Sequence, residues 1–265
     1  MIRALVDAGI HFGHRSSRWN PKMAPYIFGK RSLIHIIDVR ETIKGILRAK
    51  HFVSRVVSQG KDILLVGTKR QARTSVQRVA AETGMHYVND RWLGGTLTNF
   101  RTIRSRLARL EELENLFASG AADRMSKKAT SALRRELRKI KRNLDGIRSM
   151  ERLPGLLVLI DQKREINAIR EANKLGIPTI CLLDTDSDPD LVDLPIPGND
   201  DAMRAIDIIL GQIGEAIQQG KAARVERDLS GEDAPRRRSR RVLAAAGDAE
   251  QPAQPAEAPA QDQAQ

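Results

Sequence analysis

The sequence predicts an α/β fold, a doubly wound parallel sheet that carries an inserted antiparallel coiled-coil helical hairpin. Three observations lead there. Short apolar runs alternate with longer stretches of helical period, the pattern of parallel strands covered by helices on both faces. The alternation stops after Val88 and resumes at Pro154. Between those points Leu133, Leu137, Ile140, Leu144 and Ile147 follow a 4-3-4-3 spacing, which is the seam of paired helices.

Residues 1–33 read mostly as loop after a short opening helix, punctuated by Gly9, Gly13, Pro21, Pro25 and Gly29. Ile34–Asp38 reads as a strand and Glu41–Ser58 as a helix. Asp62–Thr68 is a buried strand, Lys69–Thr83 a helix and Met85–Val88 a short strand. Asn89–Asn99 is a glycine-containing loop. Two long helical stretches follow, separated by Ser119–Ser126, and the first carries Phe100, Ile103, Leu107, Leu110 and Leu113 on one stripe. Each arm buries only that stripe, so the two pair. Arms of roughly 20–25 residues reach ~30–37 Å, a finger inserted between the third and fourth strands of one sheet. Leu156–Asp161 is then a strand and Arg164–Leu175 a helix closed by Gly176. Pro178–Leu183 is a strand, Asp184–Asp193 an acidic loop and Leu194–Pro197 extended. Asp200–Gln219 is a helix capped by Asn199 or Asp200. The expected organisation is a Rossmann- or flavodoxin-like body over 1–98 and 153–220, a hairpin over 99–152, and a tail over 221–265. That tail holds a basic burst, Arg236–Arg241, and few large apolar residues, so it reads as disordered.

The chain has 265 residues and a net charge of +12, unevenly spread. Residues 1–152 hold 32 Lys and Arg against 13 Asp and Glu, a net of +19, and residues 153–265 carry −7. All nine aromatic residues lie before residue 118. A basic half that holds every ring points to a polyanion, above all nucleic acid. The longest apolar runs, such as Leu156–Ile160, fall far short of the ~20 residues of a membrane span. The lone Cys181 excludes a disulfide scaffold and fits a reducing cytoplasm. Inside an apolar strand it reads as packing rather than as a nucleophile.

Enzyme signatures are missing. No G-x-x-x-x-G-K-[ST] or G-x-G-x-x-G follows any strand, and neither G-x-S-x-G nor H-E-x-x-H occurs. The strand–glycine–helix at Leu64–Ala72 keeps an alternative open, a nucleotide- or phosphate-binding α/β enzyme. Three loops carry binding chemistry instead. The first holds His14, Arg15, Arg18, Trp19, Asn20 and Lys22. The second holds Lys69, Arg70 and Arg73 at a helix start. The third holds Asn89, Arg91, Trp92 and Asn99. Arg and Lys take phosphates, and rings stack on exposed bases of irregular RNA. The competing reading of each loop is structural, with Trp92 packed inside. The second arm adds Lys127, Lys128, Arg134, Arg135 and Arg138 to an array of eight cations facing one acid, Glu136.

The acidic loop is no EF-hand, because Pro189 and Pro195 stand where Gly and Glu are needed. Two readings stay open for it. In one, its aspartates make turns and caps. In the other, Asp184 meets Asp200 and Asp201 at the carboxyl edge of the sheet, with His14 or His11, and they hold a divalent ion, zinc or magnesium.

Several contiguous stretches resemble one family, bacterial ribosomal protein two of the small subunit. They are HFGHRSSRWNPKMAPYIFG (His11–Gly29), IHIIDVRET (Ile34–Thr42), VGTKRQA (Val66–Ala72), YVNDRWLGGTLTN (Tyr87–Asn99), KLGIP (Lys174–Pro178), DTDSDPD (Asp184–Asp190) and PIPGNDDAMRAI (Pro195–Ile206). The resemblance runs from about Ile2 to Gly220. It implies a parallel α/β domain with an inserted helical hairpin, binding to small-subunit ribosomal RNA, and late docking during assembly. It also implies that ribosomal protein one, which captures messenger RNA, is held on the ribosome through this protein beside other small-subunit proteins, with no membrane partner. It strengthens the divalent-ion reading at Asp184, Asp200 and Asp201. The chain departs from the family at Asp186, where Asn is commoner, at the basic run Arg138–Arg142, at Asp145 before Gly146, and throughout the tail.

Overall fold

The computed structural model describes residues 2–230. Its centre is a five-stranded sheet, all parallel, built from β4 (Ile63–Val66), β5 (His86–Val88), β6 (Leu156–Ile160), β7 (Thr179–Leu183) and β8 (Leu194–Pro197), in the order β5-β4-β6-β7-β8. The strands ILLV, LLVLI and TICLL are buried at every position. Such sequences are soluble only with both faces of the sheet covered. β8 carries Pro195 and Pro197, and it sits at an edge, where a missing N–H costs no ladder bond.

The alternation of side chains divides the core in two. Ile63, Leu65, Val158, Ile180 and Leu182 face α2 (Val39–Ser58), α3 (Arg73–Thr83) and α7 (Met203–Ser230). Leu64, Val66, Leu157, Leu159 and Cys181 face α6 (Ile166–Leu175) and the base of α4 (Phe100–Ala118) and α5 (Lys127–Leu144). Helices on both faces make the sheet doubly wound. Gly220 lets α7 lie close against α2; a Cβ there would lie 2.7 Å from the Ser54 carbonyl.

The first segment differs from the expected loop. After α1 (Ile2–Asp7), β1 (Phe12–Arg15), β2 (Ile27–Arg31) and β3 (Ile34–Ile37) form a separate antiparallel sheet in the order β1-β3-β2. Ser32 and Leu33 make the β2–β3 turn at φ of 50° and 65°, the left-handed pair that a two-residue hairpin needs. IHII therefore never enters the parallel sheet. The insertion falls between the second and third parallel strands, not the third and fourth.

The inserted helices have 19 and 18 residues, or ~28 Å each, a little shorter than expected. Ser126 caps α5 through the Ala129 N–H. Arg109 reaches Glu136 at 3.5 Å, and Lys141 reaches Glu114 at 3.4 Å. α4 buries Ile103, Leu107, Leu110 and Leu113, while Leu133, Leu137 and Ile140 of α5 are only half-buried.

The expected disorder from residue 221 is also corrected. α7 continues to Ser230, because Ala222, Ala223 and Arg224 propagate a helix well. Lys221 Nζ anchors it by donating to the Thr83 carbonyl at 2.5 Å. Residues 231–265, including Arg236–Arg241, lie outside the described residues.

Candidate nucleic-acid interface

The carboxyl ends of the parallel strands carry a dense ionic cluster. Asp184 directly follows β7 and is buried, with His14 Nδ1 of β1 only 2.9 Å from its Oδ2. The His14 backbone N–H donates to Thr185 Oγ1 at 2.9 Å. Gly13 allows this approach, since a Cβ there would lie 2.5 Å from the Thr185 methyl. The contact with Asp184 pushes the His14 pKa up to about 9, against burial and helped by Asp186 and Asp200.

Lys69 was expected on a phosphate, but the structure spends it on carboxylates. Its Nζ lies 2.7 Å from Asp200, 2.7 Å from Asp201 and 3.5 Å from Asp161. Burial works against the Lys69 charge, but the bonds to Asp200 and Asp201 outweigh it and the pKa rises. Burial and the neighbouring Asp161 push the Asp200 carboxyl up to about 7, against the pull of Lys69.

The acidic loop is stapled, not bare. Asp186 pairs with Lys163 at 2.7 Å, and Lys22 bridges Asp188 and Asp190 at 2.8 Å each. Asp188 Oδ1 also caps the turn at Pro189–Leu191. Lys22 is thus a clamp, and Asn20 caps its turn. Of the expected metal ligands, Asp184 and Asp200 converge with His14, their ligand atoms within 4.8 Å of one another. Asp201 faces Lys69 instead.

Trp92 lies inward, as the structural reading of its loop has it. It is buried, and its indole donates to Glu171 Oε1 at 3.0 Å. The same carboxylate accepts from the N–H groups of Gly95, Leu97 and Thr98. Burial acts to raise the Glu171 pKa, yet these four bonds hold it below the usual carboxylate range. Arg73 is committed too, to Asp90 at 3.0 Å and to the Thr68 carbonyl. Asn89 is half-buried against Gln77, and Asn99 accepts from the Thr102 hydroxyl.

Other candidate side chains stay open. Arg15, Arg18, Arg70 and Arg91 are exposed, as are Lys127, Lys128, Arg134, Arg135 and Arg138 on α5. Among the described residues none of these nine has a carboxylate partner. Arg134 lies over the Phe117 ring at 5.6 Å. Trp19 is 37% exposed, its ring tilted on His35 at 4.9 Å. Asp161, Glu165 and Glu171 escaped the sequence reading. Only Asp161, an acid closing an all-apolar strand, carried a signal.

Among the described residues no helix is long and apolar enough to cross a membrane. The small ribosomal subunit protein uS2 of Rhodopirellula baltica is 56% identical over 221 residues, covering 83% of this chain and 85% of that protein. The small ribosomal subunit protein uS2c of Rhodomonas salina is 53% identical, over 86% and 93% respectively. That of Microcystis aeruginosa, uS2, is 54% identical over 83% of both. The family described as ribosomal protein S2 matches residues 5–220, strands, hairpin and carboxyl-edge cluster together, and the chain belongs to it.

Proposed function

We propose that this structural constituent of the small ribosomal subunit, a non-enzyme by its family, binds small-subunit ribosomal RNA. The nine exposed cations without a carboxylate partner among the described residues, Arg15, Arg18, Arg70, Arg91 and five on α5, would carry the contact. That is the observation behind the reading. His14, Lys22, Lys69 and Arg73 are consumed by internal acids, so the candidate cations left over lie on β1 and the turn after it, the loops after β4 and β5, and α5. α4 and α5 act as a coiled-coil finger over 99–152, borne on a body formed by 1–98 and 153–220. The test is filter binding to small-subunit ribosomal RNA across a salt series. Each phosphate contact contributes about 0.7–0.9 to the slope of log K against log salt. Charge reversal at Arg134, Arg135 and Arg138 should lower affinity and flatten that slope, with the melting temperature retained. An unchanged slope sinks the reading. Docking of ribosomal protein one belongs to the same proposal and is tested by pull-down. Asp184 is buried under His14, so any docking acid comes from the exposed part of the loop, Asp190.

A second reading concerns a divalent ion. The convergence of His14, Asp184 and Asp200 supplies one nitrogen and two carboxylates, a donor set that suits zinc better than magnesium. A bound ion would tie β1 to the sheet edge. Metal analysis of the dialysed chain against Asp200→Asn tests it, and equal zinc content in both removes it.

A further inference from the structure

In the order β5-β4-β6-β7-β8 the chain leaves β4 toward α3 on one face and β6 toward α6 on the other. Between those two exits an open parallel sheet has a crevice at its carboxyl edge. Here the crevice is a cleft of about 430 Å³, within the size range of small-ligand sites. Its rim carries Arg91 and Arg164, both exposed. Arg164 Nε donates to Thr68 Oγ1 at 2.9 Å, and neither guanidinium meets a carboxylate among the described residues. Of the two acids on the wall, Asp90 is already paired with Arg73 at 3.0 Å and Arg142 at 2.9 Å.

On the wall lies Glu165, 1% exposed. Its Oε1 accepts from the Thr68 N–H at 2.9 Å. Its Oε2 is buried with no hydrogen-bond partner, an arrangement that native structures rarely leave unfilled. We infer that this cleft binds a ribose phosphate, the phosphate on Arg91 and Arg164 and a ribose hydroxyl on Glu165 Oε2. Paired guanidiniums match phosphate oxygens geometrically. A hydroxyl donates to a carboxylate or accepts from a carboxylic acid, so it completes Glu165 in either protonation state. Burial raises the Glu165 pKa, and a phosphate nearby raises it further.

The ligand has two sources, a free ribonucleotide or an unstacked nucleotide of RNA. Only the second rests on the ribosomal RNA reading. The RNA-free full chain is titrated calorimetrically with AMP, with 2′,3′-dideoxy-AMP, and with a three-nucleotide oligoadenylate and its deoxy counterpart. The expected result is saturable one-site binding, at least ten-fold weaker in Arg91→Ala/Arg164→Ala at unchanged melting temperature, and weaker for the ligands lacking ribose hydroxyls. Binding of AMP identifies a free nucleotide as a source. Binding of the oligoadenylate alone identifies RNA. No binding of either, indifference to the double variant, or equal binding of the deoxy ligands overturns the inference. The Arg134, Arg135 and Arg138 reversal should leave these titrations unaltered even where it abolishes ribosomal RNA binding, which separates the two proposals.

Discussion

Trp92 and Glu171 meet where the loop turns into the hairpin, the indole Nε1 donating to Oε1 at 3.0 Å. The other donors to that carboxylate, Gly95, Leu97 and Thr98, follow within the same loop. Glu171→Ala strips five donors, the indole, three backbone N–H groups and the Thr98 hydroxyl, of their acceptor. Each unsatisfied donor costs about 1–3 kcal/mol when buried, but the site is partly solvated, so the sum is expected near 2–3 kcal/mol. Urea unfolding followed by Trp fluorescence measures it, and Glu171→Gln should recover part of the loss.

The same residue sets a pH dependence. The Glu171 pKa is lowered from 4.5 in the folded state, so its contribution is fully present above about pH 4.5 and fades as pH falls through the folded value. Glu165 has the opposite sign. Its folded pKa is raised, so the protonated form is favoured by folding and stability is lost as pH climbs above 4.5. Glu165→Gln, which still offers an oxygen to Thr68 N–H, should flatten the alkaline side of the stability curve. Glu171→Gln should flatten the acid side. Denaturation midpoints between pH 3.5 and 8 check both.

Lys69 neutralises Asp161, Asp200 and Asp201 at once. Lys69→Ala leaves three acids crowded together, and stability should fall by about 3 kcal/mol. Arg70→Ala, one residue along and exposed, should stay within about 0.5 kcal/mol of the parent. Equal effects in chemical denaturation would contradict the assignment.

Truncation of α7 tests the corrected boundary. Ending the chain at Gly220 removes the Lys221 bond to the Thr83 carbonyl and the Arg224 guanidinium lying against Gly60. Loss of a charged cap at the α3 C-terminus costs about 1–2 kcal/mol. Ending it at Ser230 should leave the melting temperature unchanged.

What was legible in the sequence was local. Leu156–Ile160 has no face that tolerates water, and Leu133–Ile147 repeats a helical seam; both patterns persist whatever surrounds them. The antiparallel sheet was hidden because FGHR and IFGKR are four and five residues long and each carries a glycine. The roles of Trp92 and Lys69 were hidden for a different reason. A tryptophan in a basic loop looks the same whether it stacks on a base or leans on a glutamate 79 residues later. Lys69 likewise looks free until Asp200, 131 residues on, folds over it.

The internal pairing of the carboxyl-edge cluster has a consequence for biosynthesis. Lys22 and Lys69 are both translated long before Asp188 and Asp200, which pair with them. A nascent chain that has not yet reached its last third therefore exposes those cations alongside the permanent ones. Its stickiness toward nucleic acid should peak midway through elongation and subside as the final aspartates emerge and fold back.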